Sequence, residues 1–410
     1  MESHFTSEFF AANRQRLRQL FQGTAPIVIA ANGLLQRGGD SAYAYTQDAN
    51  FWYLTGIEQP DLVLVMDRER EYLLVPERSH NREVFDGAVE TEALTRRSGI
   101  VEIIEGPQGW ENLAGRLKKV KHVATIAPPP AYIETYGIYV NPARATLVQK
   151  LKTYNEDIEL LDLGQHLSRM RMIKQPEELK AIEQAIAITT ATLQDVTKPK
   201  KLAGYAHEYE IEADITRGFR RRGAAGHSFE PIVASGGRAT MLHNVANNGA
   251  LAADELLVLD VGAEVEHYAA DITRTVSLGT PSRRQRAIYQ AVYDVQQYAI
   301  GLLKPGVQLR EYESDIEQYM GEKLRELGLI KSIEHDSVRK YYPHATSHFL
   351  GLNVHDAGDY DRPLESGMVL TVEPGIYIPE EGIGVRIEDD VLITEDGNRV
   401  LSAKLSGELA

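Results

Sequence analysis

Apolar residues in the first 165 positions come as short runs separated by polar punctuation, with only a few stretches at helical spacing. Aliphatic and β-branched runs at 27–30, 62–66, 72–75, 101–104 and 123–126, and the aromatic run at 51–54, predict strands. Between them, 82–95 and 110–119 carry helical periods, 128–130 is a proline loop, and 132–163 is a helical connection punctuated by Asn141-Pro142. Alternation of this kind predicts an α/β domain built on a mixed sheet.

The texture changes at Lys174-Gln175-Pro176-Glu177-Glu178. A proline in a first helical turn, with acids beside it, starts a helix because it needs no N–H partner and the acids suit the dipole. Leu179, Ile182, Ala185, Ile186 and Thr189 then recur three to four apart over 176–195. The expected domains are therefore 1–170 and 171–410. In the second, 209–221, 282–303 and 309–327 read as helices, and 256–261, 267–276, 369–372, 385–387 and 391–393 as strands. Helices segregated from hairpin-like strands predict an α+β domain on a curved antiparallel sheet.

Composition narrows the chemistry. The 59 Asp+Glu against 44 Lys+Arg give a net charge of −15, which disfavours nucleic-acid backbones and anionic membranes as partners. With no cysteine, disulfides, thiolate zinc sites and thiol nucleophiles are excluded, so any metal must sit on carboxylates and imidazoles. No apolar run approaches the ~20 residues of a membrane span. The N-terminal stretch with Arg14, Arg16 and Arg18 does not read as a signal peptide, so a cytoplasmic protein is expected.

Candidate ligands stand in strand-like contexts. Asp260 ends the apolar run Leu256-Leu257-Val258-Leu259, and burying a lone carboxylate is costly unless a cation or several donors meet it. Asp271 lies eleven residues on, within the returning strand, where the pair meets on one hairpin face unless Asp260 caps a turn and Asp271 faces solvent. His344, His348 and His355 cluster within a dozen residues, in a strand or loop rather than a helix. Glu373 ends Val369-Leu370-Thr371-Val372 before Pro374-Gly375, and Glu388 shares a strand face with Arg386. Asp260, Asp271, His348, Glu373 and Glu388 thus form an oxygen-and-nitrogen set suited to hard or borderline divalent ions. Four carboxylates match the charge of two such cations, which makes this a candidate dinuclear metallohydrolase.

These residues, in this order and with these flanks, resemble the pita-bread metallopeptidases, whose members include methionine aminopeptidase, prolidase and aminopeptidase P. The runs Ser347-His348-Phe349-Leu350-Gly351-Leu352-Asn353-Val354-His355-Asp356 and Thr371-Val372-Glu373-Pro374-Gly375-Ile376-Tyr377 look like the aminopeptidase P branch. Gln47-Asp48-Ala49-Asn50-Phe51-Trp52-Tyr53-Leu54-Thr55-Gly56 is similar to a segment of that branch's non-catalytic domain.

The resemblance implies a pita-bread catalytic domain after an α/β domain, and a metal-bridging hydroxide that attacks the bond between an N-terminal residue and proline. It implies Asp260 and Asp271 on one ion, Asp271, His348 and Glu373 on the other, and Glu388 bridging. Manganese is the expected metal, with cobalt, zinc or iron as alternatives. Glu373 is the implied proton carrier, and His243 and His355 the histidines near the reacting carbonyl. His344 and Tyr377 would line the proline pocket. Arg386 would bind a substrate carboxylate or pair with a ligand carboxylate. A homodimer or homotetramer is implied. The nearest rival is a prolidase acting on dipeptides, and the other is a non-catalytic binding module on the same fold. The chain departs from the family at Ala345, where glycine is usual, at Asn244, where an aromatic is usual, and at Asn353, where Asp is frequent.

Overall fold

The computed structural model describes residues 3–68, 70–128 and 137–409. They form two compact units, Phe5–Met170 and Arg171–Ala410, the latter joined by the N-terminal residues up to His4.

The first unit is built on a six-stranded mixed sheet, ordered Ile103–Glu105, Glu71–Val75, Val63–Met66, Ile27–Ala30, His122–Thr125 and Glu159–Asp162. Ile27–Ala30, Val63–Met66 and Glu71–Val75 pair antiparallel, and the outer strands join parallel. Val28, Val65, Leu74 and Val123 on the sheet pack with Leu113, Leu117 and Leu151 from helices Gly106–Leu117 and Ala143–Tyr154.

Three expectations for this unit are corrected. The aromatic run at 51–54 is helical, inside Ala49–Thr55. Asp48 caps it by accepting from the Asn50 and Phe51 N–H groups, and Gly56 closes it at φ 67°, so local cap chemistry overrides the β preference of aromatic residues. The stretch 82–95 is two helices, His80–Asp86 and Thr91–Ser98, parted at Gly87 with φ 82° and ψ 158°. The connection at 132–163 holds only the helix Ala143–Tyr154 and then becomes the strand Glu159–Asp162, whose Glu159–Asp162 register extends the sheet beyond His122–Thr125. Residues 129–136, which include part of the expected loop and the start of that connection, lie outside the described residues.

The second unit opens with the helix Pro176–Val196. Gln175 and Glu178 make its capping box, and Tyr268 donates to Glu178 at 2.8 Å. The strands pair antiparallel throughout: Leu256–Val261 lies between Ile232–Ser235 and Ile272–Ser277, Asp389–Ile393 lies between Val369–Val372 and Asn398–Val400, and Gly375–Ile378 pairs with Ile383–Arg386. Helices Arg283–Leu302 and Leu309–Glu326 cover this assembly. Ile288, Val292, Ile316 and Leu324 from the helices pack on Leu370, Val385 and Val391 from the strands. Each such buried side chain contributes about 1.5–3 kcal/mol relative to exposure.

The returning strand expected at 267–276 is broken. Tyr268–Ala269 belongs to one three-stranded sheet and Ile272–Ser277 to another, with Asp271 at the change of sheet. Its partner strand changes sheet at Gly262, where a Cβ would stand 1.7 Å from the Ala270 carbonyl oxygen. Only glycine permits that approach. The strand Ile383–Arg386 ends before Glu388, so Arg386 and Glu388 do not lie on one strand as the pattern suggested.

Candidate metal centre

Pairing register brings the two aspartates together. Asp260 lies opposite Thr273, and Asp271 is two residues from Thr273. A period of two therefore puts Asp260, Thr273 and Asp271 on one face. Both aspartates are buried, which leaves no room for the solvent-facing alternative for Asp271.

Glu388 reaches the same face from the other side of the sheet. Its N–H donates to the Thr273 carbonyl at 3.0 Å, and the Thr273 hydroxyl donates to Glu388 Oε2 at 2.7 Å. The loop 344–355 supplies the histidines, tied to the sheet by the bridge Phe349↔Leu370. The His348 N–H donates to Thr371 Oγ1, and its ring Nδ1 is 3.1 Å from the Phe349 carbonyl oxygen. That leaves Nε2 facing the acids, 3.5 Å from Asp271 Oδ2 and 3.4 Å from Glu373 Oε1. Asp271, His348 and Glu388 each offer a ligand atom, and these lie within 4.8 Å of one another.

The electrostatics are those of a site awaiting positive charge. Burial raises the Asp271 carboxyl well above its usual range, and the neighbouring Asp260 and Glu373 carboxylates push it further. Glu388 is raised by burial and then by Asp271 and Asp260, and Glu373 by burial and then by Glu388. Burial, with His355 next, holds the His348 ring down to about 3, so it is neutral and able to ligate at ordinary pH. Asp260 Oδ1 and Glu388 Oε1 are buried with no hydrogen-bond partner in the protein. Buried carboxylate oxygens are seldom left so, and a hard divalent cation satisfies them. The donor set fits a divalent metal.

The outer residues are equally well located. Arg386 donates to Asp260 Oδ2, to the Tyr377 hydroxyl at 2.8 Å and to Thr273 Oγ1 at 3.2 Å. Arg386 is thus ion-paired with Asp260, one of the candidate ligand carboxylates. The Tyr377 hydroxyl also lies 2.9 Å from His344 Nε2, and burial lifts it to about 12. Burial, followed by the Arg386 charge, drops His344 to about 4. His355 stacks on His348 with ring centres 4.0 Å apart and planes 24° apart. His243 is exposed, on the turn at 241–246. Ala345 is exposed, whereas Asn244 is buried with its amide nitrogen unpartnered.

Residues that pattern did not single out complete the surroundings. Asp390 accepts the Asp271 N–H at 3.2 Å, and Thr273 joins Glu388 to Arg386. Asp390 follows the liganding Glu388 by two positions in an acidic triplet, Glu388-Asp389-Asp390, which was the available signal.

Comparison with known proteins agrees with this geometry. Residues 180–395 match Metallopeptidase family M24, and residues 10–124 match the Aminopeptidase P, N-terminal domain. The chain is 34% identical to the Xaa-Pro aminopeptidase of Haemophilus influenzae, covering 98% of this chain and 96% of that one. It is 32% identical to human Xaa-Pro aminopeptidase 3, covering 98% of this chain and 84% of that one. The structure of aminopeptidase P from Escherichia coli superposes with a TM-score of 0.86 at 29% identity, over 98% of this chain and 96% of that one. A zinc-substituted form of that protein in complex with product superposes equally, at 0.86. The two-part architecture is thus an aminopeptidase P N-terminal domain followed by a pita-bread domain, and the chain belongs to metallopeptidase family M24.

Proposed function

We propose that this chain is a dinuclear-metal Xaa-Pro aminopeptidase, which removes the first residue of peptides with proline second. The observation that carries the reading is the meeting of Asp271, His348 and Glu388 ligand atoms within 4.8 Å, beside Asp260 and Glu373, in a chain 34% identical to an Xaa-Pro aminopeptidase. Asp260 and Asp271 would hold one ion and Asp271, His348 and Glu373 the other, with Glu388 available to both. Bound divalent cations supply the charge that keeps these acids ionised, acidify a water and polarise the scissile carbonyl. Manganese is the assigned metal, since an all-oxygen-and-imidazole site suits it, and the zinc-substituted E. coli relative indicates that such sites accept other ions.

The protein's own groups do the rest. The Glu373 carboxyl takes a proton from the attacking water and delivers it to the proline nitrogen as that nitrogen leaves. This delivery matters because without it the proline nitrogen would have to leave as a strongly basic amide anion. His344 and Tyr377, joined by their 2.9 Å contact, form one wall for the proline ring. His243 and His355 stand on the exposed side, where the substrate carbonyl enters, and their imidazoles orient it. Arg386, donating to Asp260 Oδ2, holds that carboxylate in place. A homo-oligomer, which the family resemblance implies, in a reducing cytoplasm, which suits a chain without cysteine, completes the reading.

The deciding experiment compares an Xaa-Pro dipeptide with an Xaa-Pro-Yaa tripeptide in the presence of Mn²⁺, with metal content measured on the same sample. Release of the first residue from the tripeptide at equal or greater kcat/KM is expected. Strong preference for the dipeptide would make the chain a prolidase, and no hydrolysis of either would leave a binding module.

A further inference from the structure

The segment 344–348 carries two site histidines but belongs to no helix or strand, so something must hold it. Helix Leu309–Glu326 supplies the support. Glu313 accepts the Thr346 N–H at 2.9 and 3.0 Å, the Thr346 hydroxyl at 2.9 Å and the Ser347 N–H at 3.2 Å. From the preceding residue of the helix, the Tyr312 hydroxyl lies 2.9 Å from Ser347 Oγ. One turn later, Glu317 binds Arg339, whose guanidinium donates to the His344 carbonyl at 2.7 Å.

The same peptides face the metal centre from their other side. The Thr346 carbonyl accepts the Glu373 N–H at 2.8 Å, and the His348 carbonyl accepts the Thr371 N–H at 3.0 Å while its own N–H donates to Thr371 Oγ1. We infer that Glu313 is a positioning residue, whose carboxylate locks the peptides of Thr346 and Ser347 so that His344, His348 and Glu373 converge on the metal centre. A carboxylate suits the task because charge-assisted bonds to successive N–H groups are short and roughly twice as strong as neutral ones. Partners that orient ligands in this way typically govern metal affinity and activity together.

Behind Glu313 lies a cavity of about 390 Å³, lined also by Arg310, Glu317, His335 and Arg339. Its lining mixes Arg310, Arg339 and His335 with Glu317 and Glu334, and truncation of Glu313 leaves room for a small carboxylate in the place of its own. That makes the role testable by replacement.

The activity arm of the test rests on the proposed peptidase reading, whereas the metal arm does not. Mn²⁺ affinity of the full chain is measured by calorimetry, and Xaa-Pro-Yaa hydrolysis by product release, for wild type, Glu313→Ala and Glu313→Gln. Glu334→Gln, which alters the same cavity wall without touching segment 344–348, is the control. Glu313→Ala should weaken Mn²⁺ binding and lower kcat/KM by about 10–100-fold each. Glu313→Gln, which keeps one acceptor, should lose less, and formate or acetate should restore part of both quantities in Glu313→Ala but neither in wild type. Wild-type Mn²⁺ affinity in Glu313→Ala would overturn the inference. So would losses that accompany a collapse in melting temperature, are equal in Glu313→Gln and do not respond to either anion. An inactive wild type whose Mn²⁺ affinity still falls on Glu313→Ala would instead fault the peptidase reading alone.

Discussion

At the scale of single residues, the centre combines groups whose neutral or ionised states depend on one another. Glu373 has a raised carboxyl, a ligand's distance of 3.4 Å to His348 and a backbone bond to Thr346, so it is both held and able to carry a proton. Glu373→Ala is expected to lower kcat by about 10²–10⁴-fold, the usual span for a positioned acid–base group, while circular dichroism stays that of wild type. Turnover at the wild-type rate would remove Glu373 from the chemistry. Sequence made Asp260 and Glu373 visible as candidate ligands because each ends an apolar run, where a carboxylate is anomalous. Glu313 was hidden for the opposite reason. In Leu309-Arg310-Glu311-Tyr312-Glu313-Ser314-Asp315 it is one acid of a charged helix, and its partners are backbone N–H groups with no signature in side-chain pattern.

At the scale of elements, pattern found the apolar strands and long helices but not the points where the chain changes direction. Residues 51–54 carry strand-forming aromatics, yet Asp48 and Gly56 enclose them and make a helix. The run 267–276 alternates like one strand, yet it changes sheet at Asp271 because it must follow its partner around Gly262. That bend carries the site, since it exposes Asp271 to His348 while the register keeps Asp260 on the same face. Gly262→Ala forces a methyl into the Ala270 carbonyl and the Ser228 hydroxyl. It should cost about 1–3 kcal/mol, the usual range for overpacking, read as an earlier midpoint in urea. Metal affinity should fall with it, because the bend sets the spacing of the acids. A variant with unchanged midpoint and affinity would show that the close approach is relaxed at no cost.

At the scale of the molecule, stability and metal binding are linked through protons. Asp271, Glu373 and Glu388 have folded-state values raised above their ordinary ones, chiefly by burial. A raised acid favours the folded state most below its ordinary value, and that contribution is lost as pH rises through the folded value. The metal-free protein therefore loses stability as pH rises above the ordinary carboxylate range and these acids are forced to ionise together. His348 works the other way, its value of about 3 removing stability only as pH falls below the ordinary histidine range of about 6.5. A divalent ion needs ionised acids and a neutral imidazole, so its binding releases protons and favours the high-pH state. At one hundred times Kd, Mn²⁺ should add about 2.7 kcal/mol, or roughly 5–10 °C in Tm for a unit of this size. Measured at a fixed Mn²⁺ concentration, the gain in Tm should be larger at pH 8 than at pH 5.5, and calorimetry in two buffers of different ionisation heat should show proton release. A gain that shrinks with rising pH, or binding without released protons, would mean that these acids are not the ones the ion neutralises.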